Sequence, residues 1–123
     1  MDPSNLEPVL AKDSRLLVAA FYAFTPLDDE RREALLTRLP SLAREGSVLG
    51  SVLVAHEGVN GTISGPEHGV DALLDHLRAS LDLGDDHYAR LEVKRSWAEK
   101  PVFRRFKARR KKEIVTIGVA SVD

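Results

Sequence analysis

The sequence contains no cysteine, so no disulfide bond, thiolate nucleophile or thiolate metal ligand can come from these 123 residues. Aromatic residues make up only 6% of the chain, with a single tryptophan. The longest apolar run, Leu16–Phe24, is too short to span a bilayer, and the first residues lack the basic and apolar stretches of a signal peptide. These absences favour a cytoplasmic protein with one core and no membrane partner.

The formal net charge of −1 conceals a strongly polarised chain. Residues 94–112 contain ten lysines and arginines and one acid, a net charge of +9. The residues before this segment carry −8 and those after it carry −2. Such a separation of charge favours a polyanionic partner, most often a nucleic acid.

Hydrophobic periodicity predicts the element order β-α-β-β-α-β. The expected elements are a strand at Leu16–Phe24, a helix at about 27–44, a strand at 48–55, a turn at 56–61, a short strand at 62–64, a helix at about 66–81 and a strand at 88–94. We expect Thr25 to cap the first helix, with Pro26 in its first position, and Gly46 to end it.

This order predicts an α+β fold of the ferredoxin-like (split βαβ) type, with an antiparallel sheet, both helices on one face, and a basic C-terminal extension. We divide the chain into a flexible N-terminal arm at 1–14, the ferredoxin-like domain at 15–95, and the basic extension with the start of a linker at 96–123. The stretch 96–102, which contains Trp97 and Pro101, is expected to be a connector.

The basic segment has an alternating, strand-like pattern. In an extended chain, Arg105, Lys107, Arg109 and Lys111 project to one side at intervals of about 6.6 Å, while Phe106 and Ala108 face the core. Such a ladder can meet successive phosphates. The candidate RNA-binding residues are Arg104, Arg105, Lys107, Arg109, Arg110, Lys111 and Lys112. The alternative is a solvated edge strand whose charges prevent aggregation.

A second candidate is the sequence HEGVNGTISG, which begins at His56. His56, Glu57 and Asn60 follow a strand, where functional side chains often lie. A plain hairpin connection turning at Asn60-Gly61 is the alternative. The four histidines lack the spacing of a zinc site, and no phosphate loop or dinucleotide motif is present, so we assign no catalytic residue, no metal and no cofactor.

Two further patterns are explained by the fold itself. The acids Asp28, Asp29 and Glu30 suit the first turn of a helix. Phe21, Tyr22 and Phe24 could stack on bases, but they are expected in the core because the whole run is apolar. An RNA-recognition-motif function is disfavoured, because aromatic side chains should lie on both central strands and 62–64 supplies none.

Together, AHEGVNGTISG from Ala55 and FRRFKARRKKEIVTIG from Phe103 closely resemble the N-terminal domain of the rhodanese-domain tRNA uridine hydroxylases, the UPF0176 or TrhO family. FYAFTPLDD from Phe21 fits the family's first strand and helix start. The polar positions that match the family's motifs are His56, Glu57, Asn60, Arg105, Lys107, Arg109, Lys112 and Glu113.

The resemblance implies a cytoplasmic enzyme that forms 5-hydroxyuridine at the wobble position of tRNA in an oxygen-dependent reaction. It also implies a following rhodanese domain with an essential cysteine, so we expect this chain alone to be inactive. Its expected partners are tRNA and the rhodanese domain. The alternatives are a module that docks on the rhodanese domain, and an acylphosphatase-like enzyme, which is disfavoured because residues 24–28 contain no phosphate-binding arginine.

Overall fold

The structure, a computed structural model, describes residues 15–81 and 91–110. Its elements are β1 (Leu16–Phe24), α1 (Asp29–Gly46), β2 (Leu49–Ala55), β3 (Gly58–Gly65), α2 (Glu67–Leu81), β4 (Glu92–Ala98) and β5 (Phe106–Arg110). The predicted bounds of β1 are confirmed, and those of β2 and α2 are correct to within one residue.

The five strands form one sheet in the order β4-β1-β3-β2-β5. The first four pair antiparallel, which confirms the ferredoxin-like fold. Strand β5 pairs parallel to β2 and makes the sheet mixed. Residues 106–110 of the basic segment therefore form one edge of the sheet, and Lys94 and Arg95 lie on β4 at the opposite edge.

Side chains on the two faces of the sheet have different environments because successive residues of a strand point to opposite sides. In β1, Leu17, Ala19, Phe21 and Ala23 are buried under the two helices, which also pack against each other. The alternate residues Val18, Ala20, Tyr22 and Phe24 lie on the opposite face, where no described helix packs. We call this second surface the open face.

The start of α1 differs from the prediction. The cap is Asp28, whose side chain accepts a hydrogen bond of 2.8 Å from the backbone N–H of Arg31, and not Thr25. Thr25 donates its own backbone N–H to the Glu57 carbonyl, and Leu27 donates to the His56 carbonyl, both at 2.8 Å. The loop is thus held against the β2–β3 turn, and the helix begins only after it.

The end of α1 also differs, because Gly46 is still helical and Ser47 adopts the left-handed conformation with φ 58°. Gly46 serves packing instead. A Cβ added there would lie 2.8 Å from the Gly69 Cα of α2, so the glycine pair lets the two helices approach closely.

The prediction of a turn at 56–61 followed by a short strand at 62–64 is wrong. Only His56 and Glu57 connect the strands, and β3 extends over eight residues. Gly58 has φ 143°, and a Cβ there would lie 1.9 Å from the Ala23 carbonyl oxygen, so glycine is needed at this first strand position. Asn60 and Gly61 are consequently sheet residues, paired with Tyr22 and Phe21.

Strand β4 ends later than predicted. It includes Ser96, Trp97 and Ala98, which were assigned to the connector, because these residues pair with Val18, Leu17 and Leu16 of β1. The expected strand start at Tyr88 lies outside the described residues, as do the N-terminal arm and the region from 111 onward.

Candidate nucleic-acid interface

The basic strand β5 presents its charge on both sides of the sheet. Lys107 and Arg109 pair with Ser51 and Leu53 of β2 and project with them on the open face. Phe106 and Ala108 point to the other side and pack against the core, as the alternation predicts. The apolar side chains thereby anchor the strand, and two of the candidate cations are displayed towards solvent.

Arg110, a third candidate, lies on the helix-covered side. Its guanidinium forms an ion pair with Glu33 of α1, so within the fold it joins strand β5 to the helix layer. Arg104 and Arg105 are exposed just before the strand, and the Arg105 carbonyl accepts a 2.8 Å hydrogen bond from the Gly50 N–H. Lys111 and Lys112 lie outside the described residues.

The opposite edge strand, β4, divides its cations in the same way. Lys94 pairs with Ala20 and lies on the open face. The neighbouring Arg95 lies on the helix side, where its Nη1 is 2.8 Å from an Asp71 carboxylate oxygen of α2. The open face is therefore bordered by Glu92 and Lys94 on one edge and by Lys107 and Arg109 on the other.

The pairing register arranges the open face in rows that cross all five strands. One row consists of Arg109, Leu53, Asn60, Tyr22 and Glu92, and the next consists of Lys107, Ser51, Thr62, Ala20 and Lys94. Asn60 thus lies in the middle of the sheet, beside Tyr22. Each row has charged ends, and its centre contains both polar and apolar side chains.

The other two residues of the HEGVNG motif lie at one end of the sheet. His56 is exposed, and its Nε2 is 3.0 Å from Asp29 Oδ1 at the start of α1. The buried Arg32 also bonds to this carboxylate, and these two hydrogen bonds, first that of Arg32 and then that of His56, lower the pKa of Asp29. Asp29 therefore stays ionised and orients the imidazole.

A wide cavity of about 510 Å³ adjoins this pair and is lined by Phe24, Thr25, Pro26, His56 and Glu57. The parallel pairing of β5 with β2 brings Arg110 level with Val54, near the same end of the sheet. The histidine, the glutamate and the end of the basic strand thus share one end of the molecule, whereas Asn60 is displaced from them into the open face.

Three contributors to this surface were not predicted from the sequence. Asp29 was explained as a helix-dipole residue, and nothing in the sequence indicates its contact with His56, 27 positions away. Tyr22 and Phe24 were assigned to the core, yet only Phe21 is there. The alternation within β1 was a usable signal, but apolar residues on both faces obscured it.

These observations define a ferredoxin-like domain with a basic edge strand and a histidine–aspartate pair at one end of its sheet. Residues 16–114 match the model of the UPF0176 acylphosphatase like domain. The chain belongs to this family.

Relatives that match this chain carry the name tRNA uridine(34) hydroxylase. The Synechococcus sp. (strain CC9605) protein is 89% identical over 123 residues, which cover 100% of this chain and 38% of that protein. The Parasynechococcus marenigrum (strain WH8102) protein is 76% identical over 110 residues, covering 89% of this chain and 34% of that protein. The chain thus spans little more than a third of the length of these relatives.

Solved structures show the fold alone. A bacterial light-regulated adenylyl cyclase superimposes with a TM-score of 0.61 at 14% identity, covering 87% of this chain and 31% of that one. The BLUF structure of BlrP1 superimposes with a TM-score of 0.55 at 16% identity, covering 80% and 64%.

No helix in the described residues is long and apolar enough to cross a membrane. Within 15–81 and 91–110, no three histidine, aspartate or glutamate side chains are grouped to hold a metal ion.

Proposed function

We propose that this chain is the N-terminal, tRNA-binding part of a cytoplasmic protein that hydroxylates the wobble uridine of tRNA. The observation that carries the proposal is the 89% identity to a tRNA uridine(34) hydroxylase along the whole of this chain. The placement of Lys107 and Arg109 on the open side of an edge strand supports a binding role, since their apolar neighbours hold the strand in place.

Electrostatics explains how such an edge binds tRNA. Lys107 and Arg109 lie two residues apart on one face, about 6.6 Å along the strand, so each can meet a different phosphate. Arginine adds a bidentate contact to phosphate oxygens. Each phosphate neutralised releases condensed counterions, which makes affinity fall steeply with salt. Arg104 and Arg105 extend the positive edge before the strand.

The hydroxylation itself belongs, in this proposal, to the remainder of the protein. The relatives are much longer than this chain, which covers 38% of the Synechococcus sp. (strain CC9605) protein. The family resemblance assigns an essential cysteine to a following rhodanese domain, and this chain has none. His56, held by Asp29, and Glu57 then contact the RNA or the second domain beside the bound nucleotide.

The test is a fluorescence-anisotropy titration of tRNA bearing the wobble uridine, repeated across a salt series. We expect binding by this chain that weakens steeply as salt rises. The double variant Lys107→Ala/Arg109→Ala should bind more weakly, and its logarithmic salt slope should be shallower by about 0.7 to 0.9 for each phosphate that is no longer neutralised.

The matched control removes the same charge from the helix layer. Arg38 and Arg78 are exposed and pair with Glu45 and Asp75. The variant Arg38→Ala/Arg78→Ala should keep the wild-type slope. No binding at low salt would contradict the proposal and favour a module that docks on the second domain. The proposal would also be contradicted if the whole protein, with the cations of β5 replaced by alanine, kept its full tRNA affinity and its full hydroxylation activity.

A further inference from the structure

The open face carries two aromatic side chains that the core does not need. Phe21 fills the helix-covered side of β1 and is 1% exposed, whereas Phe24 is 47% exposed on the open side. Tyr22 lies between them in sequence and on the open face with Phe24. Their ring centroids are 5.8 Å apart, with an interplanar angle of 61°. Rings left at a surface contribute little to folding, so a binding role accounts for them better.

A cavity adjoins each ring. Tyr22 forms a wall of a groove of about 260 Å³, together with Ala20, Glu92, Val93 and Lys94. Phe24 forms a wall of the larger cavity beside His56 and Glu57, at the end of the sheet. Strand β1 thus has two sites at which an aromatic ring adjoins a groove with polar residues at its rim. Such sites suit unstacked bases, because the flat faces of the bases can stack on the aromatic rings.

The charges on the open face match the path of a nucleic-acid backbone. From Tyr22 the row leads through Asn60 and Leu53 to Arg109, three inter-strand spacings or roughly 14 Å. Lys94 lies on the opposite edge of the next row. Bases at the centre would have phosphates within reach of long cationic side chains at either edge. Asn60 and Thr62, between the rings and the cations, supply donors and acceptors for base edges.

Single-stranded RNA fits this face better than a protein does. The cores of protein interfaces are depleted of charge and well packed. Here the row that contains Tyr22 has Arg109 at one end and Glu92 at the other. The row that contains Ala20 has a lysine at each end, with Ser51 and Thr62 between them. A duplex fits poorly as well, because its bases are stacked on one another and offer no faces to the rings.

We propose that the open face is a stacking platform for a single-stranded RNA segment, with bases on Tyr22 and Phe24 and phosphates at Lys107 and Arg109. The inference rests on the proposed tRNA-binding function and adds to it which part of the RNA is bound and by which face. Two aromatic side chains accommodate on the order of two or three bases, so an unpaired loop is the class of ligand.

The first experiment separates stacking from charge. Tyr22→Leu/Phe24→Leu keeps an apolar surface but removes both rings, and Tyr22→Phe keeps the ring without its hydroxyl. The probes are an oligouridine of roughly ten nucleotides, within the usual site sizes, and a duplex RNA of matched length. We expect the leucine variant to lose at least about tenfold in affinity for the single strand, since each stacked base contributes roughly fivefold or more and two are lost together.

The salt series makes the failure of this inference distinguishable from that of the proposed function. The leucine variant removes no charge, so its salt slope should remain that of the wild type, and Tyr22→Phe should bind as tightly as the wild type. The platform would be overturned if the leucine variant bound RNA as tightly as the wild type while Lys107→Ala/Arg109→Ala bound RNA more weakly. The proposed tRNA-binding function would then still stand. No RNA binding by the unaltered chain would overturn both, and the open face would then belong to the second domain.

A second measurement needs no variant. An oligouridine containing 5-iodouridine is photocrosslinked to the unaltered chain, and the adducts are mapped after trypsin digestion. Tyr22 and Phe24 share one tryptic peptide, residues 16–31, while β5 falls in others. The platform predicts adducts on 16–31. Adducts confined to peptides from β5 or from the helices would overturn it.

Discussion

The two faces of this sheet are made by the same strands and differ in what they do. In β1, the residues under the helices are buried, and their neighbours one position away form a partly exposed surface that includes two aromatic rings. The basic strand β5 repeats the contrast, with Phe106 and Ala108 in contact with the core and Lys107 and Arg109 on the open face. One face stabilises the fold, and the other is the face to which we assign RNA binding as a proposal. Whether a strand residue has an odd or an even position therefore decides which of the two faces its side chain belongs to.

The largest test of this comparison is Phe21→Ala against Phe24→Ala. Phe21 is fully buried beside Gly61, where a Cβ would come 2.9 Å from its ring, so its loss leaves a cavity and should cost about 3–5 kcal/mol. Phe24 is about half exposed, and its truncation should cost less than about 1 kcal/mol. Urea unfolding measures both. If both variants lost the same free energy of unfolding, Phe24 would be a core residue and the two faces of β1 would not differ.

A smaller change in stability tests which residue caps the start of α1. Asp28→Ala removes the side-chain acceptor for the Arg31 N–H and should destabilise the domain by about 1 kcal/mol. Thr25→Ala is the control and should change the free energy of unfolding much less, because the backbone of Thr25 holds the β2–β3 turn. The reverse order of effects would restore Thr25 as the cap.

Neighbouring arginines of β5 sharpen the contrast further. Arg109→Ala should weaken RNA binding and lower the salt slope by about 0.7 to 0.9, as expected for one phosphate contact. Arg110→Ala breaks the ion pair with Glu33 on the helix side and should change the slope little. Its effect on stability should stay within about 1 kcal/mol, as for other surface pairs. Matching salt slopes for the two variants would contradict their assignment to opposite faces.

The smallest effect concerns Asp29, at the border between the two faces. Its pKa in the folded chain lies below the ordinary value of 3.8, because Arg32 and His56 bond to the ionised form. The ionised carboxylate therefore stabilises the folded chain above pH 3.8, and this stabilisation is lost as the pH falls through the lower pKa of the folded state. Acid unfolding of Asp29→Asn should lack this pH dependence. An acid limb identical to that of the wild type would show that the carboxylate contributes nothing.

Local patterns predicted much of this fold, and the failures have physical causes. Leu16–Phe24 was recognised because an uninterrupted apolar run favours a buried strand, and α2 because its leucines recur at helical spacing. The glycines and Asn60 of β3 favour a turn locally. They form a strand because Gly58 and Gly61 allow close backbone approach and place Asn60 in the sheet. Tertiary context overrode a local preference there.

The candidate site was predictable only in part. Alternation in β5 correctly separated Phe106 and Ala108 from Lys107 and Arg109, since strand geometry alone decides it. It could not reveal the partner of Arg110, because Glu33 is distant in sequence. The His56–Asp29 contact and the cross-sheet row from Tyr22 to Arg109 arise from the packing of elements far apart in the chain.

Side-chain NMR of the unaltered chain, recorded while an anticodon stem-loop with the wobble uridine is added, shows directly which face binds RNA. We expect the signals of the Tyr22 and Phe24 rings and of the Leu53 methyls to shift. The signals of Ala34 and Ala79, which are exposed on the helices, should not change. Shifts confined to the helix layer, or none at a concentration that saturates binding, would contradict the assignment of RNA binding to the open face.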